Sequence, residues 1–437
     1  MSLDGLPYEI HGIILTHLTN NDLVSLSRTA RTLNLLVVPI VYQHTFLDFA
    51  LGDEDASAAD DNDIALSALL GLVTDTQGQS RYVKRITVRS REQEDTALRA
   101  QKELLSDDET VSAVSCLLES GLRNMSQVSH VDWLSTLSTP ESVFTALQAP
   151  LESLHCSAAW LDKSHELDFN NIVTLKSLTS LSITEIPEGT LPPLLPALLS
   201  QHDMHLKSLR LQYVSPVCDN HGPASECPFE TLANDLNLAG KDVNLSSLSL
   251  SLPRQPTSTT WFESFISPSL TDFTYHIHAR DDQRVDIVED GMHNELFAYI
   301  HAEAKPQSQS QTTQSQQQQQ QQQQHLKLKS LQTNTSSPAL AFLIESSTNL
   351  EHLILAYQPP SHCGDAINLS GHFVSLRSLC LPHADRIWYD DEAFRLYGRD
   401  DFGYLKVIVD NCLLLEELAM NLCAGQEVCS LSSRLSF

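Results

Sequence analysis

One short leucine pattern recurs along most of the chain, and it constrains the fold more than any other feature of the sequence. The pattern runs in this order: a leucine, two variable residues, a second leucine, one variable residue and a further apolar residue. Full matches begin at Leu151, Leu178, Leu206, Leu245, Leu350, Leu376 and Leu415, and looser ones at Val83, Val128, Leu270 and Leu328. Apolar residues that alternate with variable ones predict a short strand with one buried face.

The spacing of these segments indicates a repeat. Starts from Leu151 to Leu206 are 27 and 28 residues apart, and Leu350 lies 22 residues after Leu328 and 26 before Leu376. Intervals of about 20 to 29 residues are typical of units that stack side by side. Between the matches, apolar residues at helical spacing predict helices over Pro140–Ala149, Leu191–His202, Pro228–Ala239, Asp290–Ala304, Pro338–Ser346 and Phe402–Leu414. Alternating helices and strands predict an α/β fold with parallel strands.

The first 45 residues follow a different, purely helical pattern. Ile10, Ile13, Ile14 and Leu18 share one helical face after Pro7, which suits a first helical turn. Two further apolar faces follow at Leu23, Leu26 and Ala30 and at Leu33, Leu36 and Val37, and we expect Pro39 to end the third helix. About 40 residues bury too little surface to be very stable alone, so we expect part of this apolar surface to bind a partner.

These residues resemble the F-box in the form common in fungal proteins. The resemblance covers about 40 residues and is carried by Leu6-Pro7-x-Glu9-Ile10, Ile13-Ile14, Leu18, Asp22-Leu23, Leu26-Ser27, Arg31 and Pro39-x-x-Tyr42. It implies an F-box over 1–45 that binds a Skp-type adaptor and, through it, a cullin-RING ubiquitin ligase. The implied adaptor contacts are Leu6, Pro7, Ile10, Ile13, Ile14, Leu18, Leu23, Leu26, Leu33 and Leu36. Leu33 or Leu35 stands where many F-boxes have an aromatic residue.

The helix-then-strand units resemble the leucine-rich repeats that follow F-boxes in many fungal proteins. PALAFLIESSTNLEHLIL and YLKVIVDNCLLLEELAM show the unit most clearly. The resemblance implies an irregular solenoid over 81–437, with parallel strands on a concave face, helices on a convex face and a protein target held by the strands. Such repeats usually have asparagine or cysteine at the ninth position. Here only Cys423 fits that position, so we expect an uneven array. One compact α/β domain of unrelated elements is the competing interpretation.

Charge and composition narrow the partners. The 55 acidic and 27 basic side chains give a net charge of -28, which repels a nucleic-acid backbone. Six carboxylates between Asp53 and Asp63 predict a solvated acidic loop within a linker over 46–80. The segment 305–325, almost entirely Gln, Ser and Thr around its glutamine run, predicts a disordered insertion.

The cysteines and missing motifs favour a non-catalytic intracellular protein. Nine scattered cysteines do not form a disulfide framework, and the N-terminus has no secretory pattern, so we expect a cytoplasmic or nuclear protein that does not contact a membrane. No phosphate-binding loop or hydrolase elbow occurs. Cys218, His221 and Cys227, with His202 and His205 upstream, lack the paired spacing of a zinc site. We therefore expect no cofactor and no metal.

Two sets of residues are candidate target contacts. The first set lies at strand positions and in the basic segment near residue 85, and consists of Lys84, Arg85, Lys207, His352 and Arg377. The second is Trp388 and Tyr389, in an acidic and aromatic loop from His383 to Asp401. The function these observations favour is substrate recognition in an SCF-type ubiquitin ligase. A leucine-rich-repeat scaffold with no ubiquitin-ligase role, bound to the adaptor or free, is the alternative, and a hydrolase has no clustered nucleophile to support it.

Overall fold

The computed structural model describes residues 7–50, 56–75, 78–91, 108–163, 169, 172–187, 189–199, 205–214, 232, 243–252, 265–267, 269–277, 295–300, 327–335, 338–347, 349–355, 369–381, 408, 410–424 and 427–433. The chain forms two compact units. The first comprises Met1–Glu185 and Pro192–His205, and the second comprises Ile186–Leu191 and Leu206–Phe437.

The first unit begins with three short helices: α1 (Tyr8–Thr16), α2 (Asn20–Ser27) and α3 (Arg31–Val41). A capping box starts α2, since the Asp22 N–H donates to Thr19 Oγ1 and the Thr19 N–H donates to the Asp22 carboxylate. The prediction that Pro39 ends the third helix is wrong. Helix α3 continues to Val41, and the Tyr42 N–H still donates to the Val38 carbonyl, because the proline lacks its own N–H but leaves the N–H groups after it in place.

The rest of the first unit alternates strands and helices. Its strands are β1 (His44–Ala50), β2 (Arg85–Arg91), β3 (His130–Leu134), β4 (Ser153–Ser157) and β5 (Ser180–Pro187), of which the last two residues belong to the second unit. Each strand pairs in parallel with the one before it. Its remaining helices are α4 (Ala56–Thr74), α5 (Asp108–Asn124), α6 (Pro140–Ala146), α7 (Ala158–Leu161) and α8 (Leu194–Leu199), with 3-10 turns at Ser80–Tyr82 and Val173–Leu175.

The second unit repeats the parallel arrangement. Its strands are β6 (Ser208–Val214), β7 (Ser247–Leu252), β8 (Asp272–Ile277), β9 (Ser330–Thr333), β10 (His352–Leu355), β11 (Ser378–Leu381), β12 (Glu417–Ala424) and β13 (Glu427–Ser433). Strands β6 to β12 are parallel in sequence order, and β13 is antiparallel to β12. Helical segments lie at α9 (Pro338–Ser346), at 295–300 and in a 3-10 turn at Ser370–His372.

The leucine pattern fixes where the strands start. Each strand from β2 to β12 begins two residues after the first apolar residue of a match, so the looser matches at Val83 and Val128 are strands as well. That first residue is buried in ten of the eleven cases. In register, Leu154 pairs with Leu181 and Leu209 with Leu248. Each buried leucine stabilises the fold by about 2 kcal/mol. The predicted α/β fold with parallel strands is confirmed.

The strand series starts earlier than the sequence suggested. Residues 46–80, expected to form a linker, contain most of β1 and all of α4, with Leu47, Phe49 and Leu69 buried. Residues 56–63 of the expected acidic loop are helical. Strand β1 escaped notice because Thr45 occupies the place of the second leucine, although Leu47 occupies the third apolar position.

Among the predicted helices, Pro338–Ser346 has the expected bounds, and α6 and α8 are shorter than the predicted Pro140–Ala149 and Leu191–His202. Asp290–Ala304 is described as helical at 295–300. The loop from His383 to Asp401, with Trp388 and Tyr389, and the glutamine-rich segment 305–325 lie outside the described residues. In the described part of the chain, no helix combines the length and apolar character needed to cross a membrane.

Candidate functional site

Helices α1 to α3 have their own small core and leave other large apolar side chains at the surface. Leu15, Leu23 and Val37 form the core, and Leu18, Leu26, Leu36, Ile40 and Val41 pack against it. Ile10 and Ile13, three residues apart on α1, are 41% and 59% exposed, and Leu35 on α3 is 68% exposed. Positions three apart share one helical face. The exposed isoleucines therefore do not contribute to the packed core of these helices.

The predicted adaptor contacts divide into three groups in the structure. Pro7, Ile10 and Ile13 are exposed, and Ile14, Leu18, Leu26 and Leu36 are half-buried. Leu23 and Leu33 are buried, so their side chains are not at the surface of this conformation. Leu6 lies outside the described residues. The set of surface contacts is thus smaller than the predicted set, and Leu35 is an exposed candidate that the prediction did not include.

A second candidate surface is formed by alternate side chains of β1 to β4, on the side opposite the buried apolar rows. We call it the strand face of the first unit; its members include His44, Phe46, Arg85, Thr87, Arg89, Asp132 and His155. The other side of these strands belongs to the core. There Trp133 of β3 stacks on Trp160 of α7, with ring centres 5.6 Å apart, and the Trp133 indole N–H donates to the Leu137 carbonyl.

A buried carboxylate lies at the centre of this strand face. Asp132 is only 7% exposed, and its Oδ2 accepts from Arg85 Nε at 2.7 Å and from Thr87 Oγ1 at 2.8 Å. His155 Nδ1 lies 3.7 Å from the other carboxylate oxygen. Burial alone would raise the pKa of Asp132, but His155, Arg85 and Thr87 favour the charged form more strongly and hold the pKa well below its ordinary value. Asp132 is therefore a permanent negative charge at neutral pH.

The hydroxyl of Thr87 extends this network to His44. His44 Nε2 lies 3.0 Å from Thr87 Oγ1, whose only proton is donated to Asp132. The His44 Nε2 must therefore carry a proton and donate it to Thr87. Burial of the ring, together with the nearby Arg85 charge, lowers the pKa of His44, which leaves its ring neutral at pH 7. The arrangement holds Arg85 in place and offers no nucleophile.

The predicted target contacts occupy separate places. Lys84 and Arg85 are exposed beside this network, at the start of β2. In the second unit Lys207 is exposed, His352 is half-buried at the start of β10, and Arg377 donates to Glu416 across 2.5 Å. Lys329 likewise donates to Glu351 at 2.9 Å. Two of the predicted cations, Arg85 and Arg377, are thus already paired with carboxylates of their own unit.

The two buried cysteines of the described residues are poor candidates for catalysis or metal binding. Cys156 and Cys412 are buried, and burial raises the pKa of both thiols, for Cys412 to about 11. A thiol that stays protonated is a weak nucleophile. The described part of the chain holds no group of His, Cys, Asp and Glu able to bind a metal ion. His205 is exposed, and Cys218, His221, Cys227 and His202 lie outside the described residues.

The Asp132 network was missed at the level of sequence, although a signal for it exists. Aligning the matches at Val83 and Val128 places Thr87 opposite Asp132 and Arg85 opposite His130, as in the observed register. The closeness of Asp132 to a basic residue of the neighbouring repeat can therefore be predicted once the looser matches are accepted as strands.

Compared with models of protein families and with curated proteins, the chain matches none of them.

Proposed function

We propose that this protein is a non-catalytic substrate receptor of an SCF-type ubiquitin ligase. Helices α1 to α3 bind a Skp-type adaptor, and the strand faces hold a protein target. The adaptor connects the chain to a cullin and a RING subunit, which bring a charged conjugating enzyme. The protein acts by raising the effective concentration of target lysines near that enzyme and breaks no bond itself.

The exposed isoleucines of α1 are the observation that carries this proposal. Ile10 and Ile13 lie on one face of a nine-residue helix whose core contact is made by Leu15 instead. Large apolar side chains on a common face favour a protein partner, because water is displaced from them on binding. The resemblance of the sequence around Pro7 and Ile10 to an F-box supports a Skp-type adaptor as that partner.

The test is binding of the purified full-length chain to a purified Skp-type adaptor, measured by calorimetry. The double variant Ile10→Glu with Ile13→Glu should bind at least about tenfold more weakly, because two carboxylates would have to lose water in an apolar interface. The matched control is Ile64→Glu, since Ile64 is also an exposed isoleucine on a helix, α4, at 68% exposure. It should bind like wild type, and all three proteins should unfold at the same urea concentration.

Equal adaptor binding by the double variant and wild type would refute the assignment of α1. A further measurement separates the receptor from a scaffold without a ubiquitin role. Purified cullin is added to the complex of the chain and the adaptor, and a stable assembly of all three supports the receptor. An adaptor complex that excludes the cullin would favour the scaffold.

A further inference from the structure

Two arginines of β2 are held in place on the strand face of the first unit by contacts that leave most of their N–H groups available. Arg85 uses Nε to reach Asp132, and half of its side chain remains exposed. The guanidinium carbon of Arg89 lies 5.4 Å from the centre of the Phe46 ring, a contact that consumes no N–H donor. Among the described residues, both guanidinium groups are therefore oriented without being saturated.

Their spacing on the strand defines a pattern of charge. Arg85 and Arg89 are four residues apart on one face of β2, which corresponds to about 13 Å. Between them lies Thr87, buried and bonded to the carboxylate of Asp132 on β3. Along β2 the face thus has a positive charge at each end, and a buried negative charge lies beside its middle on β3. Asp48 of β1 lies opposite Arg89 in the register and is the acidic neighbour of that end.

We propose that this face binds an extended acidic peptide whose two carboxylate side chains are four residues apart, with an uncharged residue midway between them. The rise of an extended peptide matches that of β2, so its alternate side chains can meet Arg85 and Arg89 together. A guanidinium group presents a fork of donors that fits a carboxylate. An acidic residue at the midpoint would face Asp132, and like charges there oppose binding.

Charge complementarity is the reason that the occupant is acidic. The net charge of the whole chain, -28, opposes an acidic ligand, but Lys84, Arg85 and Arg89 lie close together on or beside β2 and make this part of the surface locally basic. The inference rests on the proposed function only in taking the peptide to be part of a protein target. Peptide binding itself requires neither the adaptor nor helices α1 to α3.

The probe is a fluorescent peptide with two glutamates four residues apart and serine midway, titrated with the full-length chain in low salt and followed by anisotropy. Arg89→Gln should weaken binding by about fivefold, within the range of exposed charge pairs. Arg89 is the decisive position because its replacement leaves Arg85, Thr87 and Asp132 bonded. Arg210→Gln is the matched control, an exposed arginine on β6 of the second unit, and it should bind as wild type does.

Three results would overturn the inference: equal binding by Arg89→Gln and wild type, tighter binding of a peptide with a third glutamate at the midpoint, or a stronger Arg89 dependence for a phosphoserine peptide than for the glutamate peptide. Two variants separate this inference from the proposed function. Arg89→Gln should retain full adaptor affinity, and the Ile10→Glu, Ile13→Glu double variant should retain full peptide affinity. If Arg89→Gln does not weaken peptide binding while the adaptor complex forms normally, the peptide site is refuted and the proposed function is not affected.

Discussion

The two units have nearly the same buried strand positions and very different strand faces. In the first unit, Leu154 and Leu181 continue the buried row of Ile86 and Val131, and in the second unit Leu248, Phe273 and Leu331 form the equivalent row. The opposite side carries His44, Arg85, Asp132 and His155 in the first unit. In the second unit it carries hydroxyls, at Ser208, Ser247, Ser249, Thr274, Ser330 and Ser378, interspersed with Arg210, Asp272, His352 and Glu417.

The difference shows that the strand face varies without disturbing the scaffold. Because the side chains of a strand alternate between its two faces, the leucine pattern fixes one face and leaves the other unconstrained. In the first unit the free positions carry a bonded charge network, which orders its side chains before a ligand arrives. In the second unit, hydroxyls separate the charged side chains, and the carboxylates of Asp272 and Glu417 on this face are not buried. We therefore expect ligand discrimination to be concentrated in the first unit.

The largest expected effect comes from removing the central carboxylate. Asp132→Ala should destabilise the first unit by about 2 to 3 kcal/mol, because Arg85 and Thr87 lose a buried acceptor. The exposure of Arg85 keeps the loss below that of a fully buried pair. The matched variant in the second unit, Ser249→Ala, should change stability by less than about 0.5 kcal/mol. Urea unfolding followed by tryptophan fluorescence reports on the first variant, since Trp133 lies next to Asp132 in the chain.

The pH dependence of the same variant provides a further check. The folded-state pKa of Asp132 lies below its unfolded value, so its contribution is complete above about pH 4 and is lost only as the pH falls further. The difference between wild type and Asp132→Ala should therefore not shrink between pH 8 and 5, and it can grow as the pH falls because the Asp132 charge favours protonation of His44. A difference that shrinks in that interval would mean that Asp132 is not the permanently charged centre of the network.

The sequence predicts the buried face of the strands well and the opposite strand face poorly. The buried positions repeat one chemistry at a fixed interval, so strands β2 to β12 were predicted in place, including β9 at Leu328. Strand β1 was not predicted, because Thr45 stands in place of the second leucine of the pattern. The strand forms nevertheless, because it pairs in register with β2. The strand-face network was not predicted, because it depends on which repeats are neighbours in space and on the tautomer of His44.

The second unit should respond to mild acid through a histidine that is buried completely, whereas His44 of the first unit is exposed. His372 is fully buried, and its Nε2 donates to the Ile344 carbonyl at 2.6 Å. Its Nδ1 is buried without a hydrogen-bond partner among the described residues. Burial lowers the pKa of His372, so the unfolded chain binds a proton more readily than the folded one. Stability should then fall by up to about 1.4 kcal/mol per pH unit as the pH drops below about 6.5.

His372→Gln tests this titration, because glutamine can still donate to the Ile344 carbonyl but does not titrate near neutrality. The variant should show a flatter loss of stability than wild type between pH 7 and 5, measured by urea unfolding at each pH. Hydrogen exchange localises the effect: amides of β10 and β11 should lose protection in acid while those of β3 and β4 keep it. A wild-type slope that survives in the variant would place the acid-sensitive group elsewhere.

The smallest expected effect concerns the exposed charges of the second unit. Lys329 pairs with Glu351, and the charge of Arg377 also acts on Glu351, so removing the lysine leaves the carboxylate with a second cation nearby. The side chain of Lys329 is half exposed, whereas that of Asp132 is nearly buried. Lys329→Gln should therefore shift Tm by less than about 2 °C, and the shift should vanish in high salt because solvent ions screen an exposed pair. A larger, salt-resistant shift would mean that burial does not distinguish the charges of the two units, and the contrast between their strand faces would lose its energetic basis.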